Sequence, residues 1–160
     1  MDSDRENYEF HVAVVGAAQG RFPDDDEESK GKGARCYTFE YGAGASNDAT
    51  RATDFAARFH EPVYIAKAWS ESSANFLQAF LTNEVLTTVS IEFVRKDPAG
   101  KSVVFETHTL TNATMVSLRR TVGKTPGLPF GEIETIGLRF EAMEIKSPKK
   151  SVKFDFKNRK

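Results

Sequence analysis

Apolar positions recur at every second residue through most of this chain, the period of strands with one buried face. In VSIEFVRKDPAGKSVVFETHTL (89–110), Val89, Ile91 and Phe93 alternate with Ser90, Glu92 and Val94. Asp97-Pro98-Ala99-Gly100 then supplies a turn. Asp accepts from the turn backbone, Pro presets φ, and Gly takes φ > 0 at no steric cost. A second β-rich run follows, so the segment predicts a hairpin. Further strands are predicted at 9–15, at 63–69 and at 112–120. One more is predicted at 35–41, with Tyr37, Phe39 and Tyr41 on one aromatic face and Cys36, Thr38 and Glu40 on the other.

The run IETIGLRFEAMEIK (133–146) holds the last main strand pair. Ile136, Leu138 and Phe140 share one parity, while Met143 and Ile145 share the other. A period-2 strand changes face only at an irregularity, so a bulge or bend is predicted near Glu141. One helix is predicted, over SESSANFLQAFLTN (70–83), with Ser70, Ser72 and Ser73 as candidate N-caps and a stripe of Phe76, Leu77, Phe80 and Leu81 for burial. Residues 42–62 are rich in small side chains and weakly periodic, a long loop that is unusual in a compact domain. The fold class expected is mainly β: a barrel or sandwich of about eight strands with one helix and a long extended loop. No βαβ alternation surrounds the helix, which argues against α/β winding. Two parts are expected, a domain over 1–146 and a basic tail or added edge strand over 147–160.

The chain has 160 residues, 28% of them charged, and a formal net charge of −1. A balanced charge gives no global field toward nucleic acid or an anionic membrane, and little repulsion between copies. Thirteen Phe against one Trp and four Tyr suit a β core. Cys36 is the single cysteine, so no intrachain disulfide forms. The acidic start MDSDRENYEF lacks the pattern of a secretory signal, and no run reaches the ~18 apolar residues of a membrane span. Synthesis and folding in the cytosol are expected, with any export by a route that needs no cleaved signal.

Candidate chemistry is sparse. His11, His60, His108 and Cys36 show no metal-ligand spacing, and mid-strand histidines such as His11 and His108 usually serve structure. The acids Asp24 to Glu28 are consecutive rather than spaced as cation ligands, and read as a solvated, self-repelling loop. Glu132, Glu134, Glu141 and Glu144 invite a paired-carboxylate glycosidase reading, but alternating acids on exposed strand faces are commonplace. The tail KSPKKSVKFDFKNRK interleaves basic residues with Phe, a pattern shared by single-strand nucleic-acid surfaces and by edges kept soluble. GAGA (42–45) lacks the pattern of a phosphate loop. No catalytic, cofactor-binding or metal residue is assigned.

The order of the pieces carries more. A strand, QGRFPDDD, the segment FEYG and a long Gly/Ala loop come first; VYIAKAWSESSANFLQAF, a hairpin, HTLTNATMVSLRR and ETIGLRFEAMEI follow. This order resembles the Hcp family, tube-forming proteins of bacterial type VI secretion systems related in fold to phage tail-tube proteins. The likeness covers about residues 8–146 and is best in KAWSESSANF and TLTNATMVSL. Where the family commonly has an Asp cap and a Pro at the helix start, this chain has Ser70 and Ala74, keeping the cap and losing the rigidity.

The resemblance implies a non-enzymatic, cofactor-free subunit of six-membered rings that stack into a hollow tube. It implies a stacking loop over 42–61, with Gly42, Gly44, Asn47, Arg51, Asp54, Phe55 and Arg58 as its candidate residues, and Glu40 facing the lumen. Implied partners are further copies of the chain, a contractile sheath, VgrG-type spike and baseplate proteins, and effector cargo, with no nucleic acid and no membrane insertion. The tube is assembled in the cytoplasm and then secreted to the exterior or a target cell. Two alternatives stay open: a monomeric β-barrel carrier of a small molecule with the loop as lid, and a small hydrolase using Glu134 or Glu144.

Overall fold

The computed structural model describes residues 8–45 and 58–156, and the side chain of residue 8 is outside that description. The chain runs β1 (Tyr8–Gly16), β2 (Gly20–Arg21), β3 (Ala34–Glu40), β4 (Ala43–Ala45), β5 (Arg58–His60), β6 (Val63–Ala68), α1 (Ser73–Thr82), β7 (Leu86–Lys96), β8 (Ser102–Gly123), β9 (Gly131–Arg139), β10 (Ala142–Lys146) and β11 (Ser151–Asp155). Six strands close on themselves in the order β8-β7-β1-β3-β6-β9, because β9 pairs back onto β8. Closure removes the free edges that an open sheet of alternating strands would expose. Strands β10 and β11 extend outward from the first half of β8 as a wing, and β4–β5 form a separate ribbon.

The alternation seen in sequence aligns inward side chains across each ladder. Phe10, Val12 and Val14 of β1 face Phe93, Ile91 and Val89 of β7. The belt continues from Phe39 to Ile65, then Ile136, then Leu118. Cross-strand apolar pairs of this kind are the unit of sheet stability. At Asp97–Gly100 the predicted turn forms: the Asp97 carboxylate accepts from the Ala99 and Lys101 amides, and Gly100 takes φ +80°.

Four expectations are corrected. The hairpin strand and the 112–120 strand are one strand of 22 residues, β8, which bends at Asn112 (φ +49°) and passes from the wing into the barrel wall. A register shift between Cys36 and Thr38 breaks the aromatic face of β3, so Tyr37 points out while Phe39 packs on the core. The helix buries Ser73, Phe76 and Ala79; Leu77, Phe80 and Leu81 lie on its exposed side, Leu81 at 72%. The acidic loop is not self-repelling: Asp24 accepts from Gly31 and Gly33 amides and from Arg21, Asp25 from the Arg35 amide, and Asp26 from the Ser29 amide. These bonds hold the Asp24 and Asp26 carboxyls below the usual range, Asp24 chiefly through Arg21.

The predicted face change near Glu141 is present as a break between β9 and β10. There the Glu141 amide donates to Thr111 O and its carboxylate accepts from Asn112 Nδ2 at 2.8 Å.

Candidate functional site

Part of the expected long loop is a ribbon rising from the barrel rim. Ala43 pairs with His60, Gly44 with Phe59 and Ala45 with Arg58, and the Glu61 amide closes the root on Gly42 O at 2.9 Å. The small residues are there for close approach. A Cβ on Gly44 would stand 2.3 Å from the Phe59 ring, and one on Gly42 would stand 2.3 Å from the Glu61 carboxylate. Phe59 is about half exposed over this glycine floor. Of the expected loop residues, Gly42, Gly44 and Arg58 lie in the ribbon or its root; Asn47, Arg51, Asp54 and Phe55 lie outside the described residues.

Beneath the ribbon, Tyr41 stacks on His60 with centroids 5.8 Å apart, and its hydroxyl is hydrogen bonded to His60 Nδ1. Burial raises the Tyr41 pKa, so the phenol keeps its proton and donates when Nδ1 carries none. Beside them, His60, Glu61, Arg139, Phe140 and Phe156 line a partly open cleft of about 230 Å³.

Glu40 ends β3 on the outer face of the wall, exposed and opposite Tyr64 of β6. Tyr64 lies across Gly137 of β9, where a Cβ would meet its ring at 2.9 Å and the Ser117 hydroxyl at 2.4 Å. Glu40, Tyr64, Gly137 and Ser117 therefore form one polar row across four adjacent strands.

The residues considered for catalysis are dispersed and engaged. His11 is buried against the acidic loop, 3.5 Å from Glu9, and His108 packs edge-on to Phe39 and Phe93. Cys36 is buried and its thiol pKa is pushed far up by desolvation. Glu144 pairs with Lys153 at the surface. Among the described residues no group of three or more His, Cys, Asp or Glu is placed to hold a metal ion.

Glu134 departs most from expectation. It is fully buried, and its Oε1 accepts from Lys67 Nζ at 2.5 Å and from the Ser73 hydroxyl at 2.7 Å. Lys67 also donates to Ala68 O and to the Ser70 hydroxyl, and Arg120 stacks 3.9 Å above Trp69 with its Nε 3.7 Å from the second Glu134 oxygen. This network fixes the start of α1 to β6 and β9. Its signal in the sequence is a lysine set inside the apolar run VYIAKAW.

The family described as "Type VI secretion system effector, Hcp" matches residues 23–146. The chain belongs to the Hcp family. Its fold is shared with a solved Hcp protein at 15% identity and TM-score 0.80, covering 93% of this chain and 98% of that one. It is similar also to a variant of Hcp1 from E. coli EAEC 042, at 14% identity and TM-score 0.79, covering 92% and 98%. Secreted Hcp3 from Pseudomonas aeruginosa is 19% identical with TM-score 0.74, covering 93% and 98%. A search of curated protein sequences finds no match. The chain is thus a type VI secretion tube protein, from a family that serves structure and secretion rather than catalysis. No described helix is long and apolar enough to cross a membrane.

Proposed function

We propose that this Hcp chain is a secreted tube subunit that closes into six-membered rings and stacks them into a hollow tube, without catalysis of its own. The observation that carries this reading is a side-chain-filled, closed barrel with a ribbon rooted on its rim. A ring needs one patch to meet a different patch under a rotation that closes, and stacking needs a second contact that does not close. On this reading the segment 42–61, through Gly42, Gly44, Asn47, Arg51, Asp54, Phe55 and Arg58, reaches the next ring. The row Glu40, Tyr64, Gly137 and Ser117 faces the lumen and meets whatever cargo travels there. The opposite wall, with the sheath, spike and baseplate at its disposal, supplies the partner surfaces. The carrier alternative requires an open interior, whereas the inward positions from β1, β6, β7, β8 and β9 pack as one cluster.

Light scattering on the size-exclusion peak, with negative-stain imaging of the same fractions, tests the proposal. The expected result is rings of about six subunits, some stacked. A clean monomer across a hundredfold concentration range overturns it.

A further inference from the structure

The strand that ends the described chain lies beyond the family-matched stretch, yet it reaches the ribbon root. β11 pairs in full register with β10, Met143 opposite Phe154 and Ala142 opposite Asp155, and the Phe156 amide extends the ladder to Glu141 O at 2.8 Å. That register carries Phe154 and Phe156 to the imidazole of His60. Ring centroids are 4.0 Å apart for His60–Phe154 and 5.4 Å for His60–Phe156, and the two phenylalanines meet edge to face at 4.5 Å. Phe140, at the break between β9 and β10, completes the group at 6.1 Å from His60 and 5.9 Å from Phe156. His60 belongs to β5, so these rings grip one strand of the ribbon directly.

The described part of the ribbon has three pairs, and an isolated two-stranded ribbon is marginal at best in water, because its bonds and apolar surface do little to offset the chain entropy. What it packs on therefore adds to its order. Tyr41, on the connection between β3 and β4, contacts His60 from one side, while Phe154 and Phe156 approach from β11. Aromatic pairs at such separations add about 0.5–1.5 kcal/mol each beyond the area they bury.

We infer that β11 is the positioning element of the β4–β5 ribbon: Phe154 and Phe156, acting through His60, set its angle and order at the rim. The consequence for assembly rests on the stacking role proposed above. A contact made by a projecting segment gains affinity when the segment is held in its bound shape beforehand. The strand after Ser147 thereby controls tube growth without itself touching the next ring.

The test is hydrogen exchange on the full-length protein carrying Phe154→Ala and Phe156→Ala, read beside negative-stain tube lengths. The Glu61 amide, bonded to Gly42, should exchange about tenfold faster or more, while the Val12 and Ile91 amides in the barrel wall stay unchanged. Rings should persist and stacked tubes should shorten to single rings. Phe154→Leu with Phe156→Leu keeps most of the apolar contact and should restore both readouts. If the double alanine variant does not fold, Phe156→Ala alone, which leaves the five β10–β11 pairs intact, gives the same exchange reading. Unchanged exchange at Glu61 overturns the positioning role. Faster exchange with tubes of normal length upholds it and overturns the stacking role of the segment, so the two readings fail separately.

Discussion

Lys67 and Glu134 meet at 2.5 Å with neither side chain exposed, joining β9 and the end of β6 to the first turn of the helix. Two charges taken from water are held there by each other and by Ser70, Ser73 and a backbone carbonyl. Removing Glu134 leaves Lys67 buried without a counter-charge, and removing Lys67 leaves Glu134 only the longer contact to Arg120 at 3.7 Å. Losing one partner of a buried pair costs about 3–5 kcal/mol, whereas exchanging both for apolar groups of similar volume is often neutral. Glu134→Gln or Lys67→Met should therefore lower the urea midpoint strongly, and Lys67→Met with Glu134→Leu should recover most of the loss. Additive losses in the double variant would show that the pair does not act as a unit.

Asn112 holds a positive φ at the bend of β8 and donates to Glu141 across the β9–β10 break. Asn tolerates this conformation, glycine adopts it freely, and a β-branched residue is strained there. Asn112→Val should destabilise by about 2 kcal/mol or more, combining strain with the lost bond to a carboxylate. Asn112→Gly should cost less, since it loses the bond alone. Equilibrium denaturation of the two variants, with valine no worse than glycine, would count against the bend as a strained position.

His11 supplies a pH dependence with a definite sign. Burial lowers its pKa from the ordinary 6.5; Glu9 and Asp25 oppose that shift, and Lys32 and Arg35 add to it. The unfolded chain therefore binds this proton at higher pH than the folded one. Its contribution is full above pH 6.5 and is lost as pH falls from there toward the lowered folded value. The slope from this residue reaches at most about 1.4 kcal/mol per pH unit. His11→Gln should flatten the curve below pH 6.5, and an unchanged slope in that variant would contradict the assignment.

Gly44 separates assembly from folding. Its missing side chain lets Phe59 lie flat across the ribbon, and Phe59 is exposed enough to swing away. Gly44→Val should shift the melting temperature little, by under about 0.5 kcal/mol of stability, and should reduce tube length in negative stain while rings persist. A melting temperature lowered by many degrees would place the ribbon inside the cooperative fold instead.

Much of the wall was legible because its strands obey a strict period of two. The Asp97–Gly100 turn and the face change near Glu141 both follow from residues within a few positions of each other. What escaped reading depended on distant residues. Leu77, Phe80 and Leu81 form as good a stripe as Phe76 and Ala79, and distant partners decide which side faces inward: Phe22 edge-on to Phe76 at 5.0 Å, and Glu134 bonded to Ser73. Glu134 looks like one of several alternating acids until β6 places Lys67 directly opposite it. The shift at Tyr37 leaves no local mark, since aromatic residues suit both faces of a strand. Asn112 gave no warning that two strands were one, because asparagine marks turns and bends alike. The small residues of the Gly/Ala segment mark it in the sequence, but the rings that contact its ribbon, Phe154 and Phe156, lie almost a hundred residues further on.

Strand β8 has one further consequence, for load. Its first half is laddered to β7 and β10, and its second to β9, without a chain break. A pull on the wing along β8 thus reaches the barrel through many interstrand bonds crossing the line of force, which must shear together rather than open one at a time. On the tube reading proposed above, a thrust received on the outer sheet would pass into the closed wall as a single piece, and the bend at Asn112 is where it would change direction.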